Sequence, residues 1–79
     1  MKFNFADVSR NRLAKIPQHA FNNLHNLTWL DLSYNKLQEI EAVCLQPLVN
    51  LHVFNISGNI QIDLDVARNS FQVRLLNLI

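Results

Sequence analysis

Two carboxylates and a thiol are the side chains of this chain with chemistry to offer. Asp7 and Asp31 stand 24 residues apart. If the chain returns on itself at that interval, they lie side by side about 5 Å apart on adjacent strands. Paired carboxylates can do acid–base work or hold a cation. Here no cleft, third ligand or shielding group accompanies them, and Asn55 takes the next place in the row. They read as a solvated acidic stripe. Cys44 is the one cysteine, so no internal disulfide forms. A cysteine nucleophile needs a histidine oriented beside it. His19, His25 and His52 are the candidates, and no third group is placed to orient them. None of the three has the spacing of a zinc site. Cys44 reads as a buried, inert thiol. Neither catalysis nor a cofactor is expected. Gly58 is the single glycine, so no glycine-rich phosphate loop can be written.

Composition bounds the elements that carry these residues. At 79 residues the chain makes one small domain at most. Hydrophobic residues at 49% against 16% charged place it among folded chains. A formal net charge of +1 gives no electrostatic case for nucleic acid or an anionic membrane. No apolar stretch reaches the 18 residues of a membrane span, so this segment is not expected to insert directly. The start, MKFNFADVSRNR, lacks the apolar run of a signal peptide.

The stretch LTWLDLSYNKLQEI fits neither helix nor strand throughout: its apolar residues fall at Leu27, Leu30, Leu32, Leu37 and Ile40. Comparison of the chain with itself explains the spacing. A shift of 24 residues places Phe3 over Leu27 over Leu51, Ala6 over Leu30 over Phe54, and Val8 over Leu32 over Ile56. Ser9, Ser33 and Ser57 coincide, as do Asn11, Asn35 and Asn59. Leu13 matches Leu37, Ile16 matches Ile40, Phe21 matches Leu45 and Leu24 matches Leu48. The register holds without a gap from Phe3 to Asn59.

This pattern resembles the leucine-rich repeat, L-x-x-L-x-L-x-x-N-x-L, written here as LTWLDLSYNKL. The tails IPQHAFNNLHN and IEAVCLQPLVN are similar to its 24-residue typical variety. The resemblance implies an α/β solenoid, with short parallel strands on a concave face and mostly irregular convex segments. It also implies a protein-recognition role at the cell surface or outside the cell, in a receptor or adhesion protein. Spacer repeats without a ligand, or a cytoplasmic scaffold or regulatory subunit, are the alternatives. Units of about 3–26, 27–50 and 51–74 form one segment, with 75–79 irregular or the start of a further repeat.

Physics accounts for the conserved spacing within the chain. Leu30-Asp31-Leu32 alternates, as a very short strand does. One unit cannot bury its own apolar face, so the core forms between neighbours. Where the chain bends inward, backbone groups are left unpaired. An inward amide carries donors and an acceptor for them. Asn11, Asn35 and Asn59 are therefore expected to form a ladder between units. After Asn59 the pattern slips, and two readings compete. Leu75 and Leu78 begin a fourth repeat, or Leu64, Ala67, Phe71, Leu75 and Leu78 form a helical stripe capped by Asp63 or Asp65. The open N-terminal end is expected to expose Phe3, Val8, Leu13, Ile16, Phe21 and Leu24. Cysteine-rich caps are absent, which suggests a piece of a longer repeat protein whose ends meet adjoining repeats or associate with each other.

Outward positions are the candidate partner-binding residues: Phe5, Asp7 and Arg10, then Trp29, Asp31 and Tyr34, then His52 and Asn55. Thr28 and Ser33 share that outward set in the second unit, although Ser9, Ser33 and Ser57 recur with the repeat and read as structural. Phe5, Trp29 and Val53 form one lateral row, and Arg10, Tyr34 and Gly58 another. Trp, Tyr and Arg are the usual anchors of protein interfaces; the alternative reading of Trp29 is that it packs against its cross-strand neighbours. The partner is expected to be a protein ligand or co-receptor. Two glycosylation sequons occur, at Asn26 and Asn55. Asn26 falls at the rim, whereas a glycan on Asn55 would block the binding face.

Overall fold

The computed structural model describes residues 4–59, 62 and 77–79. Strands β1 (Phe5–Asp7), β2 (Trp29–Asp31), β3 (Val53–Asn55) and β4 (Asn77–Leu78) pair in that order as one parallel sheet. The register is uniform: Phe5 faces Trp29, Trp29 faces Val53 and Val53 faces Asn77. Parallel strands cannot be joined by a tight hairpin and need a crossover of a dozen or more residues. The rest of each 24-residue interval supplies it. Pairing also runs past the strands, since Leu32 N donates to Asn55 O at 2.8 Å and Ile56 N to Ile79 O at 2.9 Å.

The central residue of each three-residue strand, and Leu78 of β4 in register with them, points to the core. Leu30 and Phe54 are fully buried there, and Ala6 and Leu78 pack against the same cluster. Behind them the second unit contributes Leu27, Leu32, Leu37, Ile40, Leu45 and Leu48, all buried. The helical reading of the C-terminal stripe is corrected at Leu78, which pairs with Phe54 as strand β4. Leu64, Ala67, Phe71 and Leu75, with Asp63 and Asp65, lie outside the described residues. A single helical turn, α1 (Ala42–Leu45), buries Cys44 and Leu45 on the side opposite the sheet. Pro47 follows two residues later and has no N–H with which to extend it. The corresponding stretch of the first unit makes turns instead, with Ala20 N bonded to Pro17 O and Leu24 N to Phe21 O.

The N-terminal end is less open than its apolar residues imply. Ile16 and Phe21 are buried, because the second unit closes over them. Ala6, Val8 and Leu13 are half-buried against the core, and Leu24 is 41% exposed. Ser33, expected to face outward, is buried instead.

The bend after each strand is held by an asparagine. Asn35 Oδ1 accepts from Leu13 N at 3.1 Å. Its Nδ2 donates to Val8 O and to Leu32 O, each at 3.0 Å. One amide thus bonds its own unit and the unit before. Asn59 does the same one unit on, accepting from Leu37 N at 3.1 Å and donating to Leu32 O at 2.9 Å and Ile56 O at 3.0 Å. Leu32 O therefore receives two amides, one for each of its lone pairs. Among the described residues Asn11 bonds only within its own bend, to Val8 O and Ser9 O. Replacing Asn35 by leucine should orphan Leu13 N–H and take a partner from two carbonyls, lowering stability by about 2–4 kcal/mol. Asn11→Leu should cost less than about 1 kcal/mol. Urea unfolding followed by circular dichroism reads both, and equal losses would refute the between-unit role of Asn35.

Candidate recognition face

Side chains flanking the central residue of each strand project from the opposite face of the sheet, because strand side chains alternate. Three lateral rows result. The first is Phe5, Trp29 and Val53, joined by the strand register. Phe5 and Trp29 meet edge to face, with centroids 5.1 Å apart and planes at 72°. That geometry sets the positive ring edge against the negative ring face. Phe5 remains 48% exposed while Trp29 and Val53 are half-buried, so the row ends in an accessible aromatic.

The second row is Asp7, Asp31 and Asn55. Each side chain turns back on its own chain. Asp7 Oδ1 accepts from Ser9 N at 3.0 Å and from Ser9 Oγ at 2.5 Å. Asp31 takes Ser33 N and Oγ at 2.9 and 2.6 Å. Asn55 takes Ser57 N and Oγ at 3.1 and 2.8 Å. An acceptor that captures the N–H two residues on forms an Asx-turn, which stops the strand. That both Asp and Asn fill the row follows from this need, for each has the required oxygen. The Ser9 hydroxyl, then its N–H, hold the Asp7 carboxyl below its ordinary range, with a smaller contribution from the charge on Arg10.

The third row lies just past the strand ends. Arg10, Tyr34 and Gly58 all have left-handed backbones, with φ of 58°, 55° and 71°. The Arg10 guanidinium carbon lies 4.7 Å from the Tyr34 ring centroid. Sequence reasoning named this row but missed its backbone. The signal was Gly58, the one glycine, standing in register with Arg10 and Tyr34. His52 is exposed at the start of β3, and its N–H bonds Thr28 O. Asn26 is exposed at the turn before β2, and Asn55 is half-buried within β3.

No cluster of three or more His, Cys, Asp or Glu that could hold a metal occurs among the described residues. Nor is any described helix long and apolar enough to cross a membrane. Cys44 points its thiol at Ile16 O and Pro17 O, each 3.8 Å away. Burial, and then the charge on Glu41, push that thiol up, while Lys15 acts in the opposite sense. His19 contacts Asn22 instead, its Nδ1 lying 3.3 Å from Nδ2.

Comparison with known proteins matches residues 7–60 to the family described as Leucine rich repeat. Keratocan of Mus musculus is 41% identical over 54 residues, covering 66% of this chain and 15% of that protein. Keratocan of Gallus gallus is 35% identical over 74 residues, covering 89% of this chain and 21% of that protein. The transforming growth factor beta activator LRRC33 of Danio rerio is 46% identical over 55 residues, covering 67% of this chain and 8% of that protein. The chain thus spans about a fifth or less of the length of these relatives.

Two measurements check the site chemistry. Asp7 should titrate below an ordinary carboxylate in NMR, and Ser9→Ala should move its midpoint upward. Because the folded value is depressed, this bond stabilises the fold above the unfolded pKa. The contribution disappears as pH falls through the folded value. An unmoved midpoint in the variant would break the assignment. Cys44 should react at least about tenfold more slowly with a disulfide reagent in the folded chain than in urea, since the thiolate is the attacking species. Equal rates would show that the thiol is not shielded.

Proposed function

The chain belongs to the leucine-rich-repeat family, and from that premise we propose that it is a protein-recognition segment acting through the outward face of its sheet. The observation that carries this reading is the aromatic row. Phe5 and Trp29 are fixed against each other on a sheet whose backbone groups are paired laterally. Tyr34, 54% exposed, adds a third ring past the strand ends. Rigid exposed aromatics lose little side-chain entropy on binding and desolvate favourably, which makes them anchors.

Around that row, Asp7, Asp31 and Asn55 each keep a polar atom beyond the oxygen bound to serine. Arg10 and His52 complete the polar margin. These eight residues, Phe5, Asp7, Arg10, Trp29, Asp31, Tyr34, His52 and Asn55, are the proposed contact set. One relative is named as a transforming growth factor beta activator. A protein ligand or co-receptor is the corresponding proposal for this chain. The uniform 24-residue register supports continuation of the stack as a solenoid.

A setting at the cell surface or outside the cell accords with the 24-residue variety of repeat. It also accords with the exposed sequon at Asn26, which is proposed to carry a glycan. Recognition rather than catalysis fits a face that holds carboxylates in turns and a thiol in the core.

Trp29→Ala in the protein that carries this segment should weaken partner binding about thirtyfold or more, as loss of an interface anchor does. Binding of the purified partner to cells displaying the parent protein reads this, with circular dichroism to verify folding. Full affinity in a folded Trp29→Ala, Phe5→Ala double variant would favour a spacer role instead.

A further inference from the structure

The stack past the strand ends has features that an aromatic patch alone does not require. A bulky aromatic residue at positive φ is strained, and it persists only where its surroundings over-determine it. Tyr34 is held there by its own N–H, which donates to Ser57 O at 2.9 Å. Arg10 is held by the equivalent bond to Ser33 O, also at 2.9 Å. The Tyr34 ring rests on Gly58: a Cβ at that position would come within 2.5 Å of Tyr34 Cδ1. Arg10 then lies over the ring. The glycine seats the tyrosine and the tyrosine seats the guanidinium.

A guanidinium held over a ring by cation–π attraction spends no N–H donor on an acceptor, so its donors remain for other partners. Those donors form a fork that matches a carboxylate. Among the described residues no carboxylate lies within ion-pair distance of Arg10, although the charge on Asp7 acts on it from further away. The nearest carboxyl in sequence, Asp7, is turned back to Ser9 through Oδ1. Two residues further on, Arg12 and Lys36 occupy equivalent, exposed places. No acidic residue interrupts Ser9 to Lys15 or Ser33 to Lys36.

We propose that this corner is a docking site for an acidic segment of a protein partner, with Arg10 as the carboxylate clamp, Tyr34 as its platform and Arg12 and Lys36 as flanking cations. The proposal rests on the recognition reading above and specifies the partner's chemistry. A peptide is favoured over a sulfated polysaccharide because the Asp7 and Asp31 row lies between this corner and the Phe5–Trp29 pair. A segment that mixes carboxylates with uncharged side chains can set a carboxylate on Arg10 and an apolar residue past Asp7 and Asp31, whereas a uniformly anionic polymer is repelled by that row.

The test is an NMR titration of the full chain with a capped peptide of sequence ELEELE. Its glutamine counterpart, QLQQLQ, and low-molecular-weight heparin serve as comparisons. Saturable shifts at Arg10, Arg12, Tyr34 and Lys36 are expected with ELEELE alone. Arg10→Gln should weaken binding about tenfold. Tyr34→Gly removes the platform but no charge and relaxes the left-handed backbone, so folding is preserved. It should still weaken binding about threefold or more. Equal shifts with QLQQLQ, an unchanged affinity in Arg10→Gln, or saturable binding of heparin without that of the peptide would each overturn the proposal. Peptide binding that survives Trp29→Ala but not Arg10→Gln supports the corner. If ELEELE fails to bind while Trp29→Ala still abolishes partner binding, the corner is refuted and the sheet reading stands.

Discussion

A chain that leaves a parallel sheet and bends into its own core carries backbone N–H and C=O groups out of water. Each one left without a partner costs about 1–3 kcal/mol, a large fraction of what a small domain can spare. The amide side chain of Asn35 meets that demand for two units together. It gives one donor to Val8 O and one to Leu32 O, and takes Leu13 N–H on its oxygen. The buried positions Leu32 and Leu37 on either side depend on it, because neither reaches the core unless the chain bends there. Asn59 repeats the arrangement, so the same carbonyl, Leu32 O, links the two amides. Stability in this architecture is therefore shared between neighbours, as it is in repeat proteins generally.

The outer surface follows from the same geometry. Strands stop because Asp7, Asp31 and Asn55 capture a serine N–H two residues on. The next residue in each unit takes a left-handed backbone, which aims Arg10 and Tyr34 across to the following unit. The acidic row that looks solvent-facing in sequence is therefore part of the turn. The aromatic and basic residues that look like scattered surface form an ordered stack. Cost and opportunity coincide at Tyr34: its backbone conformation is unfavourable for an aromatic residue, and that conformation holds the ring on Gly58 beneath Arg10.

The parts of the fold legible in sequence were those set by repetition. Every strand pair keeps the register found by sliding the chain along itself, from Phe5 with Trp29 to Phe54 with Leu78. Other features were not legible, for reasons that can be named. The repeat pattern assigns Ile16 and Phe21 to an open end, but periodicity does not say how far a neighbour overhangs. Simple alternation places Ser33 on the outward face. Alternation ends where the Asx-turn begins, and the hydroxyl is drawn in to Asp31. At the C-terminus, spacings of 3 and 4 suited a helix as well as a fourth repeat, and lateral pairing with Phe54 made Leu78 a strand residue.

What the sequence determined by itself was the interval and the division of faces. Apolar residues at fixed places in a 24-residue period must share one side, because strand side chains alternate and a core must exclude water. An asparagine at every bend follows from the need to pair buried backbone. What tertiary structure decided was everything that passes between units: which end residues are covered, which carbonyls each amide reaches, and the stacking of Arg10 on Tyr34 on Gly58. These contacts join residues about one repeat apart in sequence. Their distances depend on how closely the units approach, and one unit's residue pattern does not carry that information.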